Sequence, residues 1–446
     1  MAKINEEIFR TYDIRGIYPN EINEEVAYKI ARAFAAYLKA STIPVAYDMR
    51  ESSQPLAQKI FEGLVDSGIK AIDIGMMPTP VLNFAVAEKK FKGGLMVTAS
   101  HNPKEYNGIK LIGEKAVMFS QEKGINKIKE IVFKEKFIAG KGTIKKEDLL
   151  PLYLEKIKKF TAGIKDLKIV ADFGNGMGAV SALPLYQTMP IKVFSLYAKP
   201  DGNYPNHQAN PAVEENLIDL KKELLKQAAD LGIAFDGDAD RAFFINEKGE
   251  TTRADHLMAA LSFYELKKRP KAKIYFDLRF SKIVPQIIAK FGGKPVISRV
   301  GNPFYKEKLI LEGGAFAAEG SGHFMFSDFY GIDDGLFTTL KIMKLICDEH
   351  KPLSAILKPY QKGYFQSGEI NIETKKAKQI INLLKKKYSK AKINYLDGIT
   401  IETPDFWFNL RASNTEPVIR LNIEAKDKKI LDQEITKIKQ IVSDNL

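Results

Sequence analysis

Cysteine is almost absent from these 446 residues: Cys347 stands alone, so no intramolecular disulfide and no paired-thiol metal motif can be drawn. A reducing compartment is expected. Also missing is any uninterrupted apolar run long enough to span a bilayer, which excludes a helical membrane anchor within the sequence. The opening stretch MAKINEEIFRTYD carries acids where a secretory signal would need its apolar centre, so the expected location is the cytoplasm. Acids are outnumbered as well, 55 Asp and Glu against 68 Lys and Arg, for a formal charge of +13. Such a balance suits nucleic acid, an anionic membrane or small phosphorylated ligands, and net charge alone does not choose among them. Many lysines, Lys385, Lys386 and Lys387 among them, fall in amphipathic segments and read as a solvated helix face. No recognised nucleic-acid motif accompanies them, and neither nucleic acid nor membrane is expected as a partner.

With hydrophobic residues at 45% and charged ones at 28%, the composition is that of an ordinary folded protein, which excludes wholesale disorder. At about 150 residues per domain the length predicts three or four packed units. Short apolar runs alternate with amphipathic stretches along most of the chain, as in strands joined by crossover helices. Helices are predicted over 24–39, 55–67 and 80–89, with strands at 43–47, 71–74 and 94–98. A lysine-rich link containing Gly140 and Gly142 precedes a helix at 152–160 and strands at 168–172, 192–196 and 232–235. A helix near Arg253 and strands at 273–277, 294–297 and 314–318 form a third unit of the same rhythm. After about Lys362, strands at 368–372, 398–402, 407–410 and 418–424 around two helices suggest a smaller α+β unit. The predicted fold is thus α/β, three similar α/β domains with mixed sheets plus a C-terminal α+β domain, divided at 1–150, 151–252, 253–361 and 362–446.

Four loops carry chemistry. Val97-Thr98-Ala99-Ser100-His101-Asn102-Pro103 sets a serine just past a strand end, where open parallel sheets bind ligands. It lacks the G-x-S-x-G elbow of a hydrolase, so phosphoryl acceptance suits Ser100 better than acyl transfer; taken alone, a serine before Asn-Pro is commonly a turn or cap. Asp236-Gly237-Asp238-Ala239-Asp240-Arg241 supplies three carboxylates at alternate positions after an apolar strand. Their repulsion calls for a cation, and hard oxygens select Mg²⁺ or Ca²⁺. An EF-hand is the competitor, with Glu247 at its twelfth position, but Arg241 fills the sixth, where that loop needs glycine. Glu319-Gly320-Ser321-Gly322-His323 offers a carboxylate and a hydroxyl between glycines, suited to sugar hydroxyls. Arg411-Ala412-Ser413-Asn414-Thr415-Glu416-Pro417 gathers a guanidinium and neutral donors of the kind phosphate oxygens accept, with Arg420 adding charge nearby. A fifth stretch, Gly174 to Ala179, matches G-x-G-x-x-A, but the Asp201 that would bind a ribose lies in a turn composition, which counts against a dinucleotide.

Together, TASHNPKEYNGIK at 98–110, DGDADR at 236–241, EGSGH at 319–323 and RASNTEP at 411–417, with RTYDIRG at 10–16 and DGNYPNHQANP at 201–211, resemble the α-D-phosphohexomutases over essentially the whole chain. Among these the sequence is most similar to the bacterial phosphomannomutase/phosphoglucomutase group. The resemblance implies four domains around a central cleft and an isomerase interconverting hexose 1-phosphate and 6-phosphate, of mannose or glucose. It implies that Ser100 is phosphorylated and binds Mg²⁺ together with Asp236, Asp238 and Asp240. Arg15, His101, Lys110 and Arg241 then surround the reacting phosphoryl group, with Lys110 or His101 moving the proton. Glu319, Ser321, His323 and Lys306 would contact the sugar, and Arg411, Ser413, Asn414 and Thr415 the distal phosphate. A hexose 1,6-bisphosphate is the implied intermediate and activator, a phosphosugar the implied partner, and monomer or homodimer is left open. Phosphoglucosamine mutase is the alternative, although such enzymes usually have Gly where Asn414 stands. Two departures bear on sugar preference: Ala318 and Gly320 flank Glu319 where the family usually has Gly and a larger residue, and Gly301-Asn302-Pro303 replaces a common Gly-His-Ser.

Overall fold

The computed structural model describes residues 4–374, 376–412 and 418–445. Contacts divide the chain into two compact units, residues 1–254 with 301–356, and 255–300 with 357–446. In chain order, the first unit begins with β1 (Ile14–Ile17), β2 (Thr42–Tyr47), β3 (Lys70–Met76), β4 (Gly93–Val97), β5 (Tyr106–Gly113) and β6 (Thr143–Lys146), then β7 (Lys168–Asp172), β8 (Lys192–Leu196), β9 (Leu231–Phe235) and β10 (Ala242–Asn246). The second unit takes β11 (Lys273–Asp277) and β12 (Lys294–Ser298), the first regains β13 (Phe316–Ala318) and β14 (Phe324–Phe326), and the second ends with β15 (Phe365–Glu373), β16 (Lys392–Asn394), β17 (Ile399–Glu402), β18 (Phe406–Ala412) and β19 (Val418–Ala425).

In the first unit a six-stranded sheet has the order β1-β5-β4-β2-β3-β6. Its centre is parallel, β2 lying between β3 and β4, while β5 returns antiparallel to both β4 and β1. Helix Glu24–Leu38 starts where the Asn23 side chain accepts the Val26 amide, satisfying a donor the helix itself leaves orphaned. Its apolar face, with Ile30 and Phe34, joins Ile43, Val45, Leu95 and Ile109 in one core. The sequence reading placed a loop at 97–103 and assigned no strand after it; β5 follows at once, so Lys110 sits on a strand opposite Met96. The predicted link after Gly140 likewise becomes edge strand β6, exposed throughout, where lysines discourage further pairing.

A second sheet has the order β10-β9-β7-β8, with β9 parallel to β7 and antiparallel to β10. Residues 236–241 are therefore the loop of a hairpin, closed by Phe235 opposite Ala242. β13 and β14 pair antiparallel, and residues 319–323 form their turn. In the second unit β11 and β12 are parallel, and the C-terminal sheet, order β15-β19-β18-β17-β16, is antiparallel throughout. It has one strand more than expected, β16, and packs its apolar side on helices Ala377–Lys387 and Lys428–Ser443 through Ile380, Leu384, Leu431 and Ile438. Among the described residues no helix is long and apolar enough to cross a membrane.

Candidate active site

Parallel β2 and β4 end side by side, so Asp48 at the end of one lies against Thr98 and Ser100 at the end of the other. Thr98 Oγ1 donates to Asp48 Oδ2 at 2.7 Å and accepts the Ser100 amide at 2.9 Å. Ser100 adopts a left-handed φ of +50°, a conformation that costs free energy in a residue with a side chain unless its surroundings fix it. Arg50 does the fixing. Its guanidinium donates to the carbonyls of Ser100 (2.9 Å), Asn102 (2.7 Å), Pro103 (2.7 Å) and Tyr106 (3.0 Å), with Nε on Asp48 at 3.2 Å. Tyr204 covers its face at 5.3 Å, and Gly202 lies so close that a Cβ there would come within 2.6 Å of the Arg50 Cα. Sequence reading missed Arg50, which belongs to no chemical motif.

The hairpin loop 236–241 meets this serine. Ser100 Oγ donates to Asp236 Oδ2 at 2.7 Å and accepts from Arg241 Nη2 at 3.0 Å. The approach is tight: a Cβ on Gly237 would stand 2.3 Å from the Ser100 carbonyl oxygen, so only glycine fits. Asp236, Asp238 and Asp240 are fully buried and offer oxygens within 4.8 Å of one another. Lys110 Nζ lies 2.6 Å from both Asp238 and Asp240, and Thr79 Oγ1 donates to Asp238 at 2.5 Å. Even so, Asp238 Oδ1 and Asp240 Oδ1 are buried without a hydrogen-bond partner. Orphaned hard oxygens of this kind fit a divalent cation, and these three aspartates form one described group able to hold one, Asp240, His323 and Asp333 forming another.

Charges in the centre shape one another. Burial pushes the Asp236 carboxyl up to about 6, against the pull of Arg241. Burial also opposes ionisation of Asp238, but Lys110 outweighs it and holds that carboxyl low; the same pairing keeps Lys110 cationic despite its own desolvation. Arg241, then burial, then Arg15 hold His101 well below the usual imidazole value, so its ring is neutral. Its Nδ1 faces Ser100 Oγ at 3.2 Å and also contacts Arg241. Arg15 reaches the same loop by donating to Asn102, anchored in turn by Asp13.

The turn 319–323 brings His323 to the acid triplet, with Nδ1 3.7 Å from Asp240 and 3.2 Å from Asp333. Burial opposes charge on this ring, but Asp240 and Asp333 raise its pKa above the ordinary value. Glu319 is buried, and Ser321 Oγ is buried without a partner. Lys306 is fully buried in an ion pair with Asp333 at 2.9 Å, a carboxylate that also accepts from Asn302 at 2.6 Å. Asp333 went unnoticed in the sequence because Asp333-Asp334 before a helix reads as a cap, and Asp334 is one, accepting the Phe337 amide. The structure thus brings together Ser100, His101, Lys110, Arg15, Arg241, His323 and the three aspartates. Arg411 belongs to the second unit, where it contacts Glu369. Ser413, Asn414 and Thr415 lie outside the described residues.

Four consecutive segments match the domains described as phosphoglucomutase/phosphomannomutase alpha/beta/alpha domain I (6–139), II (151–249) and III (253–363) and the C-terminal domain (369–440). A phosphomannomutase of Methanocaldococcus jannaschii is 36% identical, the match covering 98% of this chain and 97% of that one. The phosphomannomutase/phosphoglucomutase of Pseudomonas aeruginosa is 33% identical, with 98% and 95% covered. A crystal structure of a phosphoglucomutase/phosphomannomutase family protein from Burkholderia thailandensis superposes with a TM-score of 0.90 at 30% identity, covering 99% and 98%.

Proposed function

Because the chain belongs to the phosphoglucomutase/phosphomannomutase family it is a hexose-phosphate mutase, an isomerase, and we propose that it works through a phosphoserine at Ser100 and a hexose 1,6-bisphosphate. In the first half-reaction the bond from phosphorus to Ser100 Oγ breaks as one forms to a free hydroxyl of mannose or glucose phosphate. That hydroxyl gives up its proton and the serine oxygen gains one. The bisphosphate then presents its other phosphate, and the same exchange runs backward to release the isomeric monophosphate. The observation that carries this reading is the serine hydroxyl held between a carboxylate of the buried triplet, at 2.7 Å, and the Arg241 guanidinium, at 3.0 Å.

Asp236, Asp238 and Asp240, with Ser100, are the proposed ligands of Mg²⁺, which when bound supplies positive charge beside the phosphoryl oxygens. Arg241 and Arg15 orient the serine loop and add charge of the same sign. His101 is better placed than Lys110 to exchange a proton with the serine, since its ring nitrogen faces Oγ while the Lys110 ammonium is bonded by two carboxylates. Glu319, Ser321 and His323 are proposed to meet the sugar, with Lys306 acting through Asp333. Arg411 and the donors at 413–415 are proposed to meet the distal phosphate. Domains at 1–150, 151–252, 253–361 and 362–446 then carry phosphoserine, metal, sugar and phosphate in turn. Hexose 1,6-bisphosphate in catalytic amount would prime any unphosphorylated serine, and the lone cysteine agrees with a cytoplasmic setting.

A coupled assay with Mg²⁺ and catalytic bisphosphate tests the proposal on mannose, glucose and glucosamine 1-phosphates. Native enzyme should turn over the first two with higher specificity constants than the third, and Ser100→Ala should fall to the assay background. Full activity in that variant would end the phosphoserine reading.

A further inference from the structure

Asp238 lies in the loop between β9 and β10, and two donors from outside that loop converge on one of its oxygens. Oδ2 accepts from Lys110 Nζ at 2.6 Å and from Thr79 Oγ1 at 2.5 Å. Oδ1 is buried with no hydrogen-bond partner among the described residues. Lys110 also serves Asp240 Oδ2 at 2.6 Å, and a carboxylate held by one ammonium alone could still pivot about it. Thr79 removes that freedom. It is the first residue of helix Thr79–Glu88, which follows β3, and its amide donates to the Asp238 carbonyl at 3.0 Å. That amide is one of the donors a helix leaves unsatisfied at its start. Pro78 before it and Pro80 after it have no N–H to offer. One residue therefore grips the main chain and the side chain of Asp238 together. Thr79 is itself buried, and the branch at its Cβ restricts χ1, which fixes the direction in which the hydroxyl points.

We propose that Thr79 is a positioning residue that makes Asp238 a one-oxygen ligand and so selects Mg²⁺ over Ca²⁺. This rests on the assignment of Asp236, Asp238 and Asp240 to Mg²⁺. The two cations ask different things of a carboxylate. Ca²⁺ gathers about six to eight oxygens in flexible arrangements and readily takes both from one carboxylate, whereas Mg²⁺ is smaller and demands a near-ideal octahedron. The two oxygens of a carboxylate lie closer together than an octahedral edge, so a carboxylate giving both suits the larger ion. Turning Asp238 Oδ2 toward an ion would break two hydrogen bonds, one of them charge-assisted and therefore strong. Oδ1 alone is on offer. Because the Thr79 hydroxyl is neutral, it contributes direction and no charge, and its removal leaves the ion pairs of Lys110 in place.

Mg²⁺ and Ca²⁺ are the probes, each titrated calorimetrically into the whole chain. Thr79→Val removes the donor and keeps the branched shape. It should weaken Mg²⁺ binding about tenfold, the low end for a residue that holds a metal ligand in place. Ca²⁺ binding should stay within about threefold of native, since the freed Oδ2 can join Oδ1 on the larger ion. Thr79→Ser, which keeps the hydroxyl, should restore the preference for Mg²⁺. Native Mg²⁺ affinity in Thr79→Val overturns the proposal. Equal loss of both cations, the result of a merely structural threonine, overturns it as well, and so does a serine variant as weak as the valine one. Should Thr79→Val not fold, Thr79→Ala carries the same expectations, and failure of both to fold overturns the proposal. Asp238→Asn separates the idea from its premise. If that variant holds Mg²⁺ like the native chain, the metal assignment falls; if it loses Mg²⁺ while Thr79→Val keeps native selectivity, only the role of Thr79 falls.

Discussion

In the first unit three carboxylates crowd together, Asp238 and Asp240 on the buried ammonium of Lys110 and Asp236 on the Arg241 guanidinium. In the second, Arg411 and Arg420 crowd round one carboxylate, that of Glu369. Each centre packs like charges together, and each leaves buried polar atoms with no hydrogen-bond partner among the described residues, Asp238 Oδ1 and Asp240 Oδ1 in one case and Arg411 Nε in the other. What separates them is depth. Lys110 and both its partners are shut away from solvent, at 7% and 0% exposure of their side chains, whereas Glu369 keeps 28%. A counter-ion in the interior cannot leave without stranding charges in a poor dielectric. One at the rim can leave at small cost. Lys110 therefore reads as a permanent part of its centre, while Glu369 makes its ion pairs where solvent screens them.

The largest expected effect breaks the deeper pair. Lys110→Met removes the only ammonium between Asp238 and Asp240, and uncompensated buried charge of this kind costs about 3–5 kcal/mol. The thermal midpoint of the first unit should drop accordingly, with mutase activity lost. Added Mg²⁺ should raise the midpoint of the variant by more than it raises that of the native chain, since a bound cation stabilises only the folded state and here relieves more repulsion. A variant as stable as the native protein and no more responsive to Mg²⁺ would mean that Lys110 is not the ion balancing this centre.

Next comes the support beneath the serine. Arg50→Lys keeps the charge but cannot reach four carbonyls at once, because an ammonium lacks the planar fork. The serine loop should drift, and displacement of a reacting atom by about 1 Å costs on the order of 10²-fold in rate. Steady-state kinetics should show this mostly in kcat, with KM for mannose 1-phosphate little moved, since Arg50 is buried against the serine loop, Asp48 and Tyr204. Loss confined to KM would reassign it to substrate binding. The residue also marks the limit of what the sequence discloses. The serine, aspartate and glycine-flanked loops were legible because each packs its chemistry into five to seven consecutive residues behind an apolar run. Arg50 acts on carbonyls about fifty residues away and gains its meaning only when β2 and β4 become neighbours. Asp333 was hidden in a capping sequence, and Glu369 in an alternating strand where a charged residue ordinarily means a solvent face. β6 went unread because a wholly exposed edge strand has no apolar side to announce it.

The smallest effect tests depth at an intermediate point. His207 donates from Nε2 to Asp172 Oδ2 at 3.0 Å, within the loop that carries Gly202 and Tyr204 against Arg50. Burial opposes the imidazolium, but the hydrogen bond and charge of Asp172 outweigh it and raise the His207 pKa above 6.5. A group with a raised folded-state pKa contributes stability that is complete below the unfolded value and fades as pH climbs through the folded one. The pair should therefore hold this loop most firmly below about pH 6.5 and release it above. Its side chain is 16% exposed against 1% for Asp172, so the pair belongs between Lys110 and Glu369, with a contribution of at most about 1 kcal/mol. Subtracting the pH profile of thermal midpoint for His207→Gln from that of the native chain isolates the term. A difference that shrinks from pH 6 to pH 8 places His207 on the scale set by the other two centres. A flat difference would show that folding leaves the imidazole pKa unshifted, so that the pair contributes nothing and the Arg50 platform is left to packing by Tyr204 and Gly202.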